Sequence, residues 1–131
     1  MSKSQKKEYI DYRLNLAKET LEAAKTLAGN KHWNSVINRL YYSCFYAISA
    51  LLYKNDINAK SHSGIKHQFG LHFIKSGLIG KSTAEIYIDL FDYRQAGDYA
   101  DFMDFDKEKT LPLIPLVENF ILKIEELLNE N

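Results

Sequence analysis

Between about Trp33 and Lys54 the apolar residues of this chain recur at helical spacing and cover most of a helix circumference. Ile37, Tyr41, Cys44, Ile48 and Leu51 step by four, three, four and three, and Val36, Leu40, Ala47 and Leu52 widen the stripe. A helix this broadly apolar must be covered on several sides, so it belongs at the centre of a bundle. The chain has 131 residues. A chain of that size buries roughly 68% of its unfolded surface, enough for one core without disulfide or metal staples.

The rest of the sequence agrees with that constraint. From Lys6 to Ala28, Tyr9, Leu16, Leu21, Ala24, Leu27 and Ala28 keep steps suited to an amphipathic helix. Gly29-Asn30 supplies a stop through a left-handed glycine. Asn55 to Ser63 is polar and reads as a loop. A short helix follows from about Gly64 to Lys75, carries Ile65, Phe69, Phe73 and Ile74, and ends at Ser76-Gly77. Ser82 and Glu85 have capping-box spacing, so a fourth helix starts there and runs through Ile86, Leu90 and Tyr93 towards Tyr99. Asp101 to Asp106 reads as irregular. The last helix places Thr110 near its N-cap and Pro112 in its first turn, with Pro115 marking a kink or a delayed start, and it ends near Leu128. No segment alternates with period two, no long repeat occurs, and no Gly/Ser/Pro-rich linker divides the chain. The expected architecture is all-α, an antiparallel bundle of four to five helices forming a single domain over 1–131, with its core at about 6–128.

Composition narrows the chemistry. The single cysteine, Cys44, excludes an intrachain disulfide and a cysteine zinc cluster, and its apolar setting makes it a small buried hydrophobe. The lysine-rich start, Met1 to Glu8, has no apolar segment behind it, and no run approaches the ~20 residues of a membrane span. Cytoplasmic residence and no membrane association follow as expectations. Seventeen Lys+Arg balance seventeen Asp+Glu, which excludes a uniformly basic nucleic-acid domain. The balance hides two halves: residues 1–81 carry a net +8 and residues 82–131 a net −8. Basic helices packed beside acidic ones would neutralise in cis; a complementary contact or a basic surface for an anion is the other outcome.

Three constellations bear on function. Ser35, Arg39, Tyr42, Tyr46, Ser49 and Tyr53 share one face of the central helix. A guanidinium among tyrosines and serines suits a phosphate or carboxylate, with rings to stack a base. It equally suits a subunit interface, or an ion pair inside the bundle between Arg39 and an acid of the fourth helix such as Asp98. In the second, Arg94-Gln95-Ala96-Gly97-Asp98-Tyr99, Arg94 and Asp98 stand four apart and can pair along a helix, with Gly97 between them and Tyr93 and Tyr99 beside them. Third, His62, His67 and His72 are spaced by five, which turns each roughly 140° from the last and makes a metal site unfit. His62 suits a cap or site residue, and His67 a buried, hydrogen-bonded role. The acids from Asp98 to Asp106 lack the Gly and Glu of a calcium loop. No cofactor is implied.

Three stretches together carry a family resemblance: Asn38-Arg39-Leu40-Tyr41-Tyr42-Ser43-Cys44-Phe45-Tyr46-Ala47; Ser61-His62-Ser63-Gly64, leading to Phe69 and Phe73-Ile74-Lys75-Ser76-Gly77; and Arg94-Gln95-Ala96-Gly97-Asp98-Tyr99. In that order the chain resembles the HEPN domain (higher eukaryotes and prokaryotes nucleotide-binding), in its small stand-alone prokaryotic branch, over about residues 10–125. The resemblance implies a helical bundle that forms a homodimer and is encoded beside a minimal nucleotidyltransferase as a toxin–antitoxin pair. It also implies a metal-independent ribonuclease signature, Arg followed by four to six residues and then His. Here the histidine positions after Arg39 hold Cys44, Phe45 and Tyr46, and those after Arg94 hold Tyr99, Ala100 and Asp101. The expectation is therefore a nucleotide- or RNA-associated binding module, or partner of a nucleotidyltransferase, built on Arg39, Tyr42, Tyr46, His62, Arg94, Asp98 and Tyr99, and not a standard ribonuclease of the family. The alternatives are an endoribonuclease toxin with a variant site that His62 completes, and a purely structural homodimer.

Overall fold

The computed structural model of the chain describes residues 2–98 and 104–130, and side chains within them except at 96–98. Six α-helices make up the described chain: α1 Lys3–Gly29, α2 Trp33–Lys54, α3 His62–Phe69, α4 Lys81–Asp98, α5 Lys107–Thr110 and α6 Leu113–Asn129. No strand occurs among the described residues. The fold is an all-α antiparallel bundle around one core.

α1 and α2 form a long hairpin whose turn spans 30–32. Gly29 stays helical and Lys31 takes the left-handed conformation, φ 63°, so the expected glycine stop is displaced by two residues. Ser2 caps α1 in a reciprocal box with Gln5, an earlier start than the apolar spacing alone indicates. The buried Ser43 hydroxyl donates to the Ala17 carbonyl at 2.7 Å and ties the two helices at mid-length. α6 runs antiparallel to α1, and Lys18–Glu125 and Lys25–Glu118 pair across them. Among the described residues the opposed charge halves thus meet between α1 and α6, and no ion pair joins α2 to α4. The Lys54 ammonium, at the end of α2, donates to the carbonyls of Leu127, Leu128 and Glu130 and closes the C-terminus of α6.

α2 packs against α1, α3, α4 and α6, as a helix apolar on most sides must. The centre of the core is aromatic. Tyr87 stacks between Tyr41 (6.2 Å, 18°) and Phe120 (6.2 Å, 14°), and Phe69 meets both Tyr87 and Phe120 edge-on. Such pairs add about 0.5–1.5 kcal/mol each beyond the apolar area they bury. Cys44 is fully buried beside them.

Three further helix starts differ from the sequence reading. α3 begins at His62, because Ser61 caps it by accepting from the Gly64 N–H at 2.9 Å. A Cβ on Gly64 would lie 2.8 Å from Ser61 Oγ, so this cap needs glycine there. α4 begins at Lys81 with the Gly80 carbonyl accepting from Ala84 N–H, which puts Ser82 inside the first turn instead of at the cap. Asp106 caps the separate turn α5, and α6 starts only at Leu113; Pro115 is its third residue, where the missing N–H is not needed. α3 continues through one π-helical turn, Gly70–Ile74, and Gly77 (φ 83°) turns the chain away.

Candidate functional site

The second helix carries the centre of the site. Tyr41 and Tyr42 are adjacent, so they leave α2 in different directions. Tyr41 is fully buried in the stripe and Tyr42 half-buried in the seam. α3 brings His62 across both: its ring centroid lies 5.7 Å from Tyr41, 5.9 Å from Tyr42 and 4.6 Å from Phe45. Tyr41 Oη and His62 Nδ1 share a 2.7 Å hydrogen bond. Burial pushes the Tyr41 phenol far above its ordinary pKa, against the pull of the nearby Arg94 charge, so the phenol stays protonated.

α4 supplies Arg94. Its guanidinium lies 5.3 Å from the Tyr41 ring and 5.7 Å from the Tyr42 ring, and Nη2 donates to Tyr42 Oη over a long 3.4 Å. From α2, one turn before Tyr42, the Arg39 guanidinium sits 5.1 Å from the same ring while donating to Asn38 Oδ1. Two cations from two helices therefore share the Tyr42 ring, with the His62 ring edge against it. Tyr46 continues the aromatic surface, 6.0 Å from Tyr42.

Arg39, Tyr42, Tyr46, His62 and Arg94 thus come together. His62 is the half-buried, hydrogen-bonded histidine, and it opens α3 instead of lying in the preceding loop. His67, expected in that buried role, is exposed beside an open groove with Lys66 and Phe91. Asp98 ends α4, but its side chain, like all of Tyr99, lies outside the described residues. The Arg94–Asp98 pairing lies there too. The Arg39 ion pair with an acid of the fourth helix is not formed within the described residues. There, no carboxylate pairs with Arg13, Arg39 or Arg94. Past the undescribed stretch, the Phe105 N–H donates to Asn34 Oδ1 at 3.1 Å and the Phe105 ring packs on Tyr93, so Phe105 lies against the start of α2.

The sequence reading missed Tyr41, absorbed into the apolar stripe, and Phe45, which it gave no role in the site. Ser61 with Gly64 was the available signal for His62, since that cap fixes the first turn of α3 and the direction of its ring. Among the described residues no group of three His, Cys, Asp or Glu can hold a metal ion. No described helix is long and apolar enough to cross a membrane.

Chemically, two guanidinia over one tyrosine, without a carboxylate partner among the described residues and beside an imidazole, have the donors and stacking surfaces of an anion site. Comparisons with known proteins cover nearly the whole chain. The chain is 34% identical over 127 residues to a UPF0332 protein of Thermotoga maritima, covering 97% of this chain and 96% of that one. It is 30% identical over 122 residues to "Putative toxin MJ0142" of Methanocaldococcus jannaschii, covering 93% of this chain and 83% of that one. It is 32% identical over 124 residues to "Putative toxin MJ0605" of the same organism, covering 95% and 92%. The model of the HEPN domain matches residues 10–127, a span that includes all three motif stretches, and the chain belongs to the HEPN domain family.

Proposed function

We propose that this is a toxin-like HEPN protein that binds a phosphate of RNA or of a nucleotide between Arg39 and Arg94, with Tyr42 and Tyr46 as stacking surfaces. The observation that carries the reading is the pair of guanidinia on the Tyr42 ring. Held on separate helices without a described carboxylate partner, they present fork-shaped donors to an anion. The toxin-named relatives support the toxin-like part. The family resemblance supports a homodimer and a nucleotidyltransferase partner that holds the protein in check. Binding of an unstructured RNA oligomer by the wild-type protein and by Arg94→Ala tests the site. Pull-down with the product of an adjacent nucleotidyltransferase gene tests the partnership.

A second reading, a metal-independent ribonuclease with a variant site, has one observation in its favour. His62 lies within reach of the phosphate that Arg94 would hold, although it does not follow either arginine at the family's spacing. In that reading the imidazole supplies the acid–base chemistry on a ribose 2′-OH. RNA cleavage lost in both His62→Ala and Arg94→Ala supports it; no cleavage by the wild type removes it.

A further inference from the structure

Beyond Tyr46 the seam of α2 continues to Ser49 and Tyr53, and there it faces α1 instead of α4. Tyr9 and Arg13 from α1, and Asn58 and Lys60 from the α2–α3 loop, join them around an open cleft of about 370 Å3. The Tyr9 and Tyr53 rings meet at 4.4 Å and make one wall. Arg13 Nε donates to Tyr9 Oη at 3.0 Å, which holds the guanidinium 5.3 Å from the Tyr9 ring and 5.9 Å from the Tyr46 ring.

That bond uses one of the five guanidinium N–H groups; the other four have no acceptor among the described residues. Ser49 donates to the Phe45 carbonyl at 2.8 Å and keeps its own lone pairs for a donor. An oriented cation, aromatic walls and a few polar groups at the rim are the chemistry that takes a planar base joined to a phosphate.

We propose that this cleft is a second nucleotide subsite, with Arg13 and Lys60 on the phosphate and the Tyr9–Tyr53 wall against the base. The proposal rests on the reading of Arg39 and Arg94 as the first phosphate site and extends it. Tyr46 connects the two, because its ring contacts Tyr42 on one side and Arg13 on the other. A single strand held between Arg39 and Arg94 then runs over Tyr42 and Tyr46 into the cleft. The same chemistry is offered by a free nucleotide and by one link of an RNA strand, and the test separates them.

The probes are fluorescent hexauridylate, read by anisotropy, and uridine monophosphate, read by calorimetry, with melting temperature and sedimentation mass recorded for every variant. Arg13→Gln is expected to weaken hexauridylate binding about tenfold, the scale of losing one stacked, charge-contacted nucleotide. Lys60→Ala, which also lines the cleft, is expected to weaken it about threefold. A response with hexauridylate alone identifies the strand as ligand; a response with both probes identifies the nucleotide itself. If Arg13→Gln fails to fold, Lys60→Ala carries the test, and an unaltered affinity there overturns the subsite. Arg13→Gln binding within twofold of wild type, while Arg94→Ala still loses affinity, overturns the subsite and leaves the first site standing. A loss in Arg13→Gln that comes with a changed sedimentation mass also overturns it, since the cleft is then an assembly contact. Absence of hexauridylate binding by the wild type overturns both sites.

Discussion

Tyr41 and Tyr87 stack at 6.2 Å in the middle of the bundle, yet their hydroxyls fare differently. Tyr41 Oη is bonded to His62 Nδ1, whereas Tyr87 Oη is buried with no hydrogen-bond partner among the described residues. Burial raises both phenols far above their ordinary pKa, so both are neutral at pH 7.

Tyr41→Phe therefore removes a bond without opening a cavity. The expected loss is about 1 kcal/mol of stability in chemical denaturation, the net value of one such bond. The variant should also weaken RNA binding, because His62 loses one of the contacts that orient its ring on Tyr42. A stability equal to wild type would show that the bond is not formed in solution.

Tyr87→Phe has the opposite expectation. It deletes a hydroxyl that is desolvated and unpaired and keeps the ring between Tyr41 and Phe120. Stability should hold or rise by about 0.5–1 kcal/mol. A loss larger than that of Tyr41→Phe would contradict the assignment of the two hydroxyls.

The contrast shows what could be read along the chain and what could not. The apolar period of α2 announced the bundle, because burial on several sides leaves its mark at every third and fourth residue. It also announced the seam, since Arg39, Tyr42 and Tyr46 recur at helical steps on a face of their own. The period could not say that Tyr41, inside the stripe, has a polar end that matters. That depends on where α3 crosses α2, which the Ser61 cap and Gly64 decide locally. His67 misled although its signal was local: it stands two residues from both Ile65 and Phe69, the buried stripe of α3, and so falls on the opposite face of that helix. Arg13 stayed hidden because one basic residue on an exposed helix carries no signal until α1 is laid against Tyr46.

Cys44 is expected to be inert in the native state. It is enclosed on all sides, and burial alone drives the thiol far above its ordinary pKa. Ellman's reagent should react slowly with the folded protein and at once in denaturant. Rapid reaction without denaturant would mean that α2 is not the central helix.

Asp89 gives a pH-dependent prediction. Partial burial, with Glu85 one turn before it and Asp92 one turn after, holds its carboxyl above the ordinary aspartate range. A raised value means that the folded state favours the proton. The contribution to stability is complete below the unfolded aspartate pKa and is lost as pH rises through the higher folded value. Asp89→Asn should thus raise the melting temperature by about 1–2 °C at pH 7 and leave it unchanged below about pH 4. An equal shift at both pH values would contradict the electrostatic cause.

The central claim, an anion site made by Arg39 and Arg94 on the Tyr42 ring, is tested most directly by the salt dependence of hexauridylate binding. Wild type, Arg39→Ala and Arg94→Ala would be titrated from low to moderate salt. The account predicts that the wild type binds, that each substitution weakens binding about tenfold, and that each lowers the slope of log affinity against log salt by about 0.7, one phosphate contact on a single strand. Wild-type and substituted proteins with the same affinity and the same slope would contradict it.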